Sequence, residues 1–175
     1  DANPVIAYKT YGTRNISLIA SNAFGCKDTF NSTLRVYDLP KAGFSINDST
    51  QCENDQQFVF TNNSAIPANE GTLSYVWQLG DGNTATSTNV TKGYSNYDTV
   101  TVKLLVQSSF GCFDSLSKRI EILQKPQTQL VRLFTDSCVD SKVKFEAKDN
   151  EVSTPYSSEW LFSNNATGNK AIAET

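Results

Sequence analysis

The chain has 175 residues and a formal net charge of −3, and 38% of its residues are hydrophobic. The acidic balance argues against nucleic acid as a partner, because nucleic-acid binding needs a basic surface. No apolar run approaches the roughly 20 residues of a membrane span, and the absence of histidine removes Ser–His–Asp, Cys–His and His-ligated metal sites.

An internal repeat organises the chain. Residues 11–40 return as residues 97–126 at an offset of 86, and both segments contain Phe-Gly-Cys-x-Asp and close on a proline. The same offset relates Cys52 to Cys138. A period of this length is typical of a tandem array of structural units, so we predict repeated modules instead of one large domain.

The prolines at the repeat ends set the module boundaries. Pro40 and Pro126 each close a short link, where proline interrupts strand pairing and stiffens the chain. We predict the second half of one module at 1–38, a complete module at 39–124 and the first half of a third module at 125–175. The sequence contains no methionine, so we expect a processed product or a segment of a longer chain.

Alternating apolar and polar residues predict short strands along the whole chain, and nothing longer than a turn has a helical period. About seven strands in one repeat, separated by Gly, Asn and Asp turns, indicate an all-β fold built from antiparallel β-sandwiches. The apolar positions are, in chain order, Ile16/Leu18, Phe30/Leu34/Val36, Phe44/Ile46, Phe58/Phe60, Tyr75/Trp77/Leu79, Val100/Val102/Leu104/Val106, Leu116/Ile120/Ile122, Val143/Phe145 and Trp160/Phe162.

Trp77 is predicted to fill the core of the complete module. It shares strand parity with Tyr75 and Leu79, which favours packing over the alternative of an exposed sugar-stacking platform. Trp160, 83 residues later, is its counterpart in the third module, and the three-residue difference fits a loop of variable length. We expect Trp77 to face apolar residues of the neighbouring strands, namely Phe58, Phe60, Val102 and Leu104.

Two polar segments are candidates for turns or for calcium. Gly80-Asp81-Gly82 has the residue types of a tight turn, and Asp81 is its single carboxylate, far short of the six to eight oxygens that calcium takes. The acidic cluster at 48–55 is interpreted as a solvated loop, with a weak calcium clamp at the module junction as the alternative. The pair Glu53 and Asp55 has no evident cleft for glycoside hydrolysis.

The segment Tyr75–Gly82, with the sequence YVWQLGDG, resembles the signature of the PKD (polycystic kidney disease) domain, an aromatic strand that ends in W-x-F-G-D-G. The resemblance continues through Asn89 and Tyr94 and through the repeated Phe-Gly-Cys-x-Asp motif. Leu79 stands where the family usually has Phe, and the third module has Ser-Asn-Asn at 163–165 in place of Gly-Asp-Gly.

The resemblance implies tandem Ig-like sandwiches of PKD type that catalyse nothing themselves. The motif set looks like the modules of giant Bacteroidota surface proteins, including gliding adhesins exported by type IX secretion. It implies a structural and adhesive segment of an extracellular or cell-surface protein. The implied partners are neighbouring modules, surface glycans or proteins of the secretion and motility machinery, with no cofactor except the calcium considered at Asp81.

Two other functions remain open in the sequence. The modules are equally compatible with accessory domains of a secreted polysaccharide- or protein-degrading enzyme, in which a separate domain carries out catalysis. The third hypothesis is an Ig-like ligand-binding ectodomain of a receptor. No residue of the chain discriminates between the first two functions, and the Gly-Cys-x-Asp ending favours a bacterial protein over the receptor. The sequence does not identify a ligand, because Ig-type binding depends on loop tips and those tips here are rich in Asn, Ser, Thr and Asp.

Four cysteines, Cys26, Cys52, Cys112 and Cys138, lack the spacing of a zinc or redox site and leave three disulfide connectivities open. In an Ig-like sandwich Cys52 and Cys112 are expected at opposite ends, far beyond the Cα separation of about 7 Å that a disulfide tolerates. We therefore expect an inter-module staple that joins Cys112 to a cysteine of the preceding module that is not in the present sequence. Reduced, buried thiols are the alternative.

Overall fold

A computed structural model describes residues 3–53, 55–132, 145–149, 157–158 and 173–174. These residues contain strands and no helix, and hence no helix long and apolar enough to cross a membrane. The strands are β1 (Gly12–Ser21), β2 (Lys27–Val36), β3 (Phe44–Ile46), β4 (Thr50–Cys52), β5 (Phe58–Asn62), β6 (Leu73–Gln78), β7 (Thr84–Ala85), β8 (Val90–Lys92), β9 (Asp98–Ser108), β10 (Phe113–Leu123), β11 (Thr128–Arg132), β12 (Phe145–Asp149), β13 (Ser157–Ser158) and β14 (Ala173–Glu174).

The chain divides into two compact units. The first unit contains the β1–β2 hairpin together with most of the following sandwich, and the second contains the C-terminal strands with two short segments that precede them. Their bounds are Asp1–Thr50, Gln57–Gly93 and Thr99–Glu121 for the first unit, and Gln51–Gln56, Tyr94–Asp98 and Ile122–Thr175 for the second. In the second unit, β11 pairs with β12 and β13 with β14, both antiparallel.

The sandwich has a five-stranded sheet of order β4-β10-β9-β6-β7 and a three-stranded sheet of order β3-β5-β8. The pairings of β3 with β5, β5 with β8 and β6 with both β7 and β9 are antiparallel. Each sheet presents one apolar face to the core, as the alternating sequence predicts. The all-β, Ig-like fold class is thereby confirmed.

The core lies between these two sheets, and Trp77 is at its centre with no exposed surface. The Phe44 ring meets the Trp77 ring edge-on, with centroids 5.1 Å apart, and the indole N–H donates a hydrogen bond to Ser87 O at 3.0 Å. Phe44 lies on β3 of the opposite sheet, and it is a neighbour of Trp77 that the sequence analysis did not name. The buried apolar residues are Phe44, Phe58, Phe60, Trp77, Leu79, Val90, Val102, Leu104, Val106, Ile120 and Ile122.

The hairpins β1–β2 and β9–β10 are built alike. Gly25 and Gly111, 86 residues apart, both have φ of +85° in the connecting turn. Each turn is closed by the same backbone hydrogen bond, from Asn22 N–H to Cys26 O at 3.1 Å in the first hairpin and from Ser108 N–H to Cys112 O at 2.8 Å in the second. The repeat in sequence is therefore also a repeat in local structure.

Two glycines shape the turn that follows the tryptophan strand. Gly80 and Gly82 have φ of +83° and +86°, a backbone region that residues with a Cβ rarely adopt. Their surroundings differ, since a Cβ on Gly80 would lie 2.3 Å from Val100 Cγ1 and 2.7 Å from Thr101 O, whereas a Cβ on Gly82 would meet open space. Gly80 is thus required both by its φ and by the close approach of β9.

We predict that Gly80→Ala destabilises the sandwich far more than Gly82→Ala. The left-handed conformation costs either alanine about 1–2 kcal/mol, and the clash with β9 adds roughly 1–3 kcal/mol at Gly80 alone. Urea unfolding followed by circular dichroism and tryptophan fluorescence measures both losses. Equal destabilisation by the two substitutions would show that the close approach to β9 is unimportant.

Candidate functional site

The described residues contain no group of three or more His, Cys, Asp or Glu side chains that are placed to hold a metal ion. Among the places where the described polar side chains come together, three contain acidic residues singled out in the sequence or bind the links between modules: the link that enters the sandwich, the link that leaves it, and the turn after Trp77. We refer to residues 37–40 as the first linker and to residues 124–126 as the second linker. Both contain the prolines that mark the repeat boundaries.

Glu70 anchors the first linker. Glu70 is 5% exposed, and its carboxylate accepts hydrogen bonds from Arg35 Nη2 at 2.9 Å and from the Asp38 backbone N–H at 3.1 Å. A carboxylate removed from water needs such donors, because an unpaired buried charge is costly. The end of β2 and the start of the linker are therefore both bonded to one residue of the loop between β5 and β6.

An aromatic stack reinforces the same place. The Tyr37 ring lies parallel to the Phe110 ring, with centroids 3.8 Å apart, and the Arg35 guanidinium lies 5.5 Å from the centroid of the Tyr37 ring. Gly71 allows this packing, because its φ is +95° and a Cβ there would lie 2.3 Å from Ser109 Oγ. The first linker is consequently held by a charged clamp and a stacked ring.

Asp114 holds the start of the sandwich. Its carboxylate accepts a hydrogen bond from the Ala42 backbone N–H at 2.8 Å, and this bond lowers the pKa of Asp114. Asp114 is the acidic residue of the Phe-Gly-Cys-x-Asp motif, so the motif has a structural role just after Pro40. In the first hairpin its counterpart Asp28 accepts a hydrogen bond from Thr29 N–H at 2.9 Å.

The second linker is also bound by carboxylates. Glu53 Oε1 accepts the Lys125 backbone N–H at 3.1 Å, and Asp55 Oδ2 contacts Lys125 Nζ at 2.7 Å. The hydrogen bond between these side chains lowers the pKa of Asp55 and raises that of Lys125. Glu53 N–H further donates to Leu123 O at 2.8 Å, so the described part of the acidic 48–55 segment holds the linker, a contact that the sequence reading missed.

Asp81 is bonded within its own turn and to β8. It accepts hydrogen bonds from the Asn83 N–H at 3.1 Å and the Asn83 side-chain amide at 2.7 Å, and it pairs with Lys92 Nζ at 2.7 Å. Partial burial raises the pKa of Asp81, but the hydrogen bonds from Lys92 and Asn83 and the Lys92 charge outweigh it and lower the pKa to about 2. Calcium at this turn would have to displace Lys92, and the calcium site stays a prediction.

The three described cysteines, Cys26, Cys52 and Cys112, are free thiols. Cys26 and Cys112 occupy equivalent positions in the two hairpin turns, and Cys52 ends β4. Cys26 and Cys52 are exposed, whereas Cys112 is half-buried. Cys138 and Trp160 lie outside the described residues, and the inter-module disulfide stays a prediction.

Residues 39–123 match the family model of the PKD domain. The resemblance inferred from the Tyr75–Gly82 segment is thereby confirmed for this part of the chain. Over 74 residues, or 42% of its length, the chain is 32% identical to Collagenase ColA from Bacillus cereus. The match spans only 8% of that relative.

Two solved PKD domains are similar to part of the chain. The PKD1 domain of the Vibrio cholerae metalloprotease PrtV is 24% identical with a TM-score of 0.42, and the alignment covers 49% of this chain and 98% of that domain. The PKD1 domain of Vibrio anguillarum Epp is 20% identical with a TM-score of 0.44, covering 51% of this chain and 100% of that domain.

We predict that Glu70→Ala loosens the first linker. Loss of the buried carboxylate removes the acceptor of the Asp38 N–H, so this amide should exchange its hydrogen at least about tenfold faster. Hydrogen exchange resolved by NMR measures the effect, and Glu121→Ala, at an exposed glutamate of β10, is the matched control. Unchanged exchange at Asp38 in the Glu70→Ala variant would mean that other contacts hold the linker.

We predict that Asp81 contributes stability that disappears in acid. Its pKa is lowered in the folded state from 3.8 to about 2, so the contribution is present above the unfolded pKa and is lost as the pH falls through the folded one. The difference in unfolding free energy between wild type and Asp81→Asn should therefore shrink between about pH 5 and pH 2. Urea titrations across this range test the sign, and a constant difference would contradict it.

Proposed function

We propose that this chain, whose residues 39–123 are a PKD domain, is a non-catalytic structural and adhesive segment of a large exported cell-surface protein. In this proposal residues 1–38 are the second half of a preceding module and residues 125–175 are the first half of a following one. The neighbouring modules are then the principal partners, and surface glycans or proteins of the secretion and motility machinery are further candidates.

The hydrogen bonds that hold both linkers are the observation that carries this proposal. Each linker donates a backbone N–H to a glutamate carboxylate, from Asp38 to Glu70 at 3.1 Å and from Lys125 to Glu53 at 3.1 Å. A flexible tether needs no such contacts, whereas a spacer benefits from links with restricted bending. Proline at each boundary stiffens the same residues further.

Export is supported by the kind of protein in which similar sequence occurs. The matched relative is a collagenase, and one of the similar solved domains belongs to a metalloprotease. A collagenase acts on collagen, which is an extracellular protein, so similarity to a collagenase is compatible with an extracellular location of this chain. We propose that this chain is extracellular and, more specifically, that its parent protein is attached to the cell surface.

The alternative function is an accessory module of a secreted enzyme. The 32% identity to Collagenase ColA over 74 residues favours it, because that similarity is to a degradative protein. In this case a catalytic domain outside the present sequence would act on a polysaccharide or protein, and the PKD domain would position it or hold its substrate. Residues 39–123 would keep the same non-catalytic role in both functions.

The mass of the intact parent polypeptide discriminates between the two. We expect a very large chain, recovered from the cell surface, whose peptides repeat the Phe-Gly-Cys-x-Asp and Trp-x-x-Gly-Asp-Gly themes at the period of 86 residues. Mass spectrometry of surface-labelled and secreted fractions provides this measurement. A chain only a few modules longer, with peptides of unrelated composition, would overturn the array and support the enzyme accessory.

A further inference from the structure

The β1–β2 hairpin exposes an apolar face, whereas the equivalent face of the β9–β10 hairpin is buried in the sandwich. Ile16, Leu18 and Leu34 are 43%, 66% and 42% exposed. Their counterparts 86 residues later are at most 1% exposed, because the second sheet of the sandwich covers them; these counterparts are Val102, Leu104 and Ile120. The same sequence pattern on the same hairpin therefore has its apolar face covered in one repeat and open in the other.

The strand edges of the two hairpins differ in the same way. In the sandwich, β9 pairs with β6 and β10 lies next to β4, so the hairpin is the middle of a five-stranded sheet. Within the described residues, β1 and β2 form a sheet of two strands. An isolated two-stranded hairpin is marginally stable in water, and a free strand edge is a template for another strand.

Residues before the hairpin point to the same missing partner. Residues 4–6 correspond at the 86-residue offset to β8, which pairs antiparallel with β5 in the sandwich. Residues 4–6 form no strand. The segment therefore has the sequence position of a β8 strand without the β5 strand that such a segment pairs with.

We infer that the open face and the free edge of β1 bind a half-module with the sequence pattern of residues 39–86, located before the hairpin in the same polypeptide. This inference rests on the proposed tandem array and names the partner of its first hairpin. The half-module would supply counterparts of β3, β5 and β6. Together with the hairpin it would complete a second sandwich.

The register follows from the complete module. Trp77 is the β6 residue opposite Leu104 of β9, and Leu104 corresponds to Leu18. The tryptophan of the bound half-module therefore lies opposite Leu18. In the complete module the Ala42 N–H donates to Asp114, which corresponds to Asp28. The half-module residue that corresponds to Ala42 therefore donates its backbone N–H to Asp28.

A second copy of the hairpin is a poorer occupant of this face. Two hairpins packed face to face would cover Leu18 but would supply no equivalent of β5 for residues 4–6. They would also bring no module start to donate to Asp28. A half-module would cover the apolar face, pair with the free strand edge and supply an N–H donor to Asp28.

The test is a fusion in which a copy of residues 39–86 is placed directly before Asp1 of the full chain. This junction reproduces the natural connection of residue 86 to residue 87 at the repeat offset. We expect the amides of β1 to exchange at least about tenfold more slowly in the fusion than in the chain alone. The negative control carries Phe58→Asp and Phe60→Asp in the added copy, and it should leave exchange in β1 as in the unfused chain.

Leu18 and Ile19 provide a matched pair within the hairpin, since they are 66% and 62% exposed but face opposite sides of β1. In the fusion, Leu18→Asp should abolish the added protection, whereas Ile19→Asp should retain it. Equal effects of the two substitutions would show that the half-module does not bind through the face that contains Leu18. If fusion gives no gain in protection, a half-module of this sequence does not bind the face and the inference is wrong.

Sedimentation of the unfused chain tests whether a second copy of the chain covers this face instead. If β1 becomes protected as concentration rises, together with a doubling of mass, a second copy covers the face and the inference is wrong. This outcome is independent of the proposed array, which depends on the repeats of the parent polypeptide. A protected fusion, together with a parent polypeptide that contains one such half-module before the hairpin and no other repeats, would reject the array and keep the half-module as the partner of this face. A parent polypeptide without that half-module would overturn the inference.

Discussion

Burial of one apolar face of a long hairpin is the constraint on which this structure depends. The β9–β10 hairpin contributes Val102, Leu104, Val106, Ile120 and Ile122 to the core, and all of them are almost fully buried. Each such side chain stabilises the fold by about 1.5–3 kcal/mol when it leaves water. The other strands of the sandwich, and Trp77 at its centre, are arranged around this face.

The close approach of the strands imposes further demands at the sandwich edge. Gly80 lies so near β9 that a Cβ would overlap Val100, and its positive φ directs the chain from β6 into the turn. Asp81 then accepts hydrogen bonds from Asn83 and pairs with Lys92 of β8, which belongs to the other sheet. The turn after the tryptophan strand therefore connects the two sheets as well as reversing the chain.

Charge is used mainly where the chain enters and leaves the sandwich. Glu70 binds the end of β2 and the first linker, and Glu53 with Asp55 binds the second linker. Glu70 is buried although its partner Arg35 is half-exposed, so salt screens this pair less than the exposed pair of Lys125 and Asp55. This use of carboxylates is consistent with the spacer role proposed for the chain.

The sequence by itself determined the all-β class, the 86-residue repeat and the resemblance to the PKD domain, because alternation, turn residues and the Trp-x-x-Gly-Asp-Gly segment are local signals. The predicted module boundaries already leave the hairpin of residues 1–38 without a second sheet, and only the tertiary structure decided how far its apolar face is exposed, since Leu18 is 66% exposed whereas Leu104 is fully buried. It also decided the partners of Glu70 and Asp114. Arg35 and Ala42 lie 35 and 72 residues away from them, and such long-range pairs have no local sequence signal.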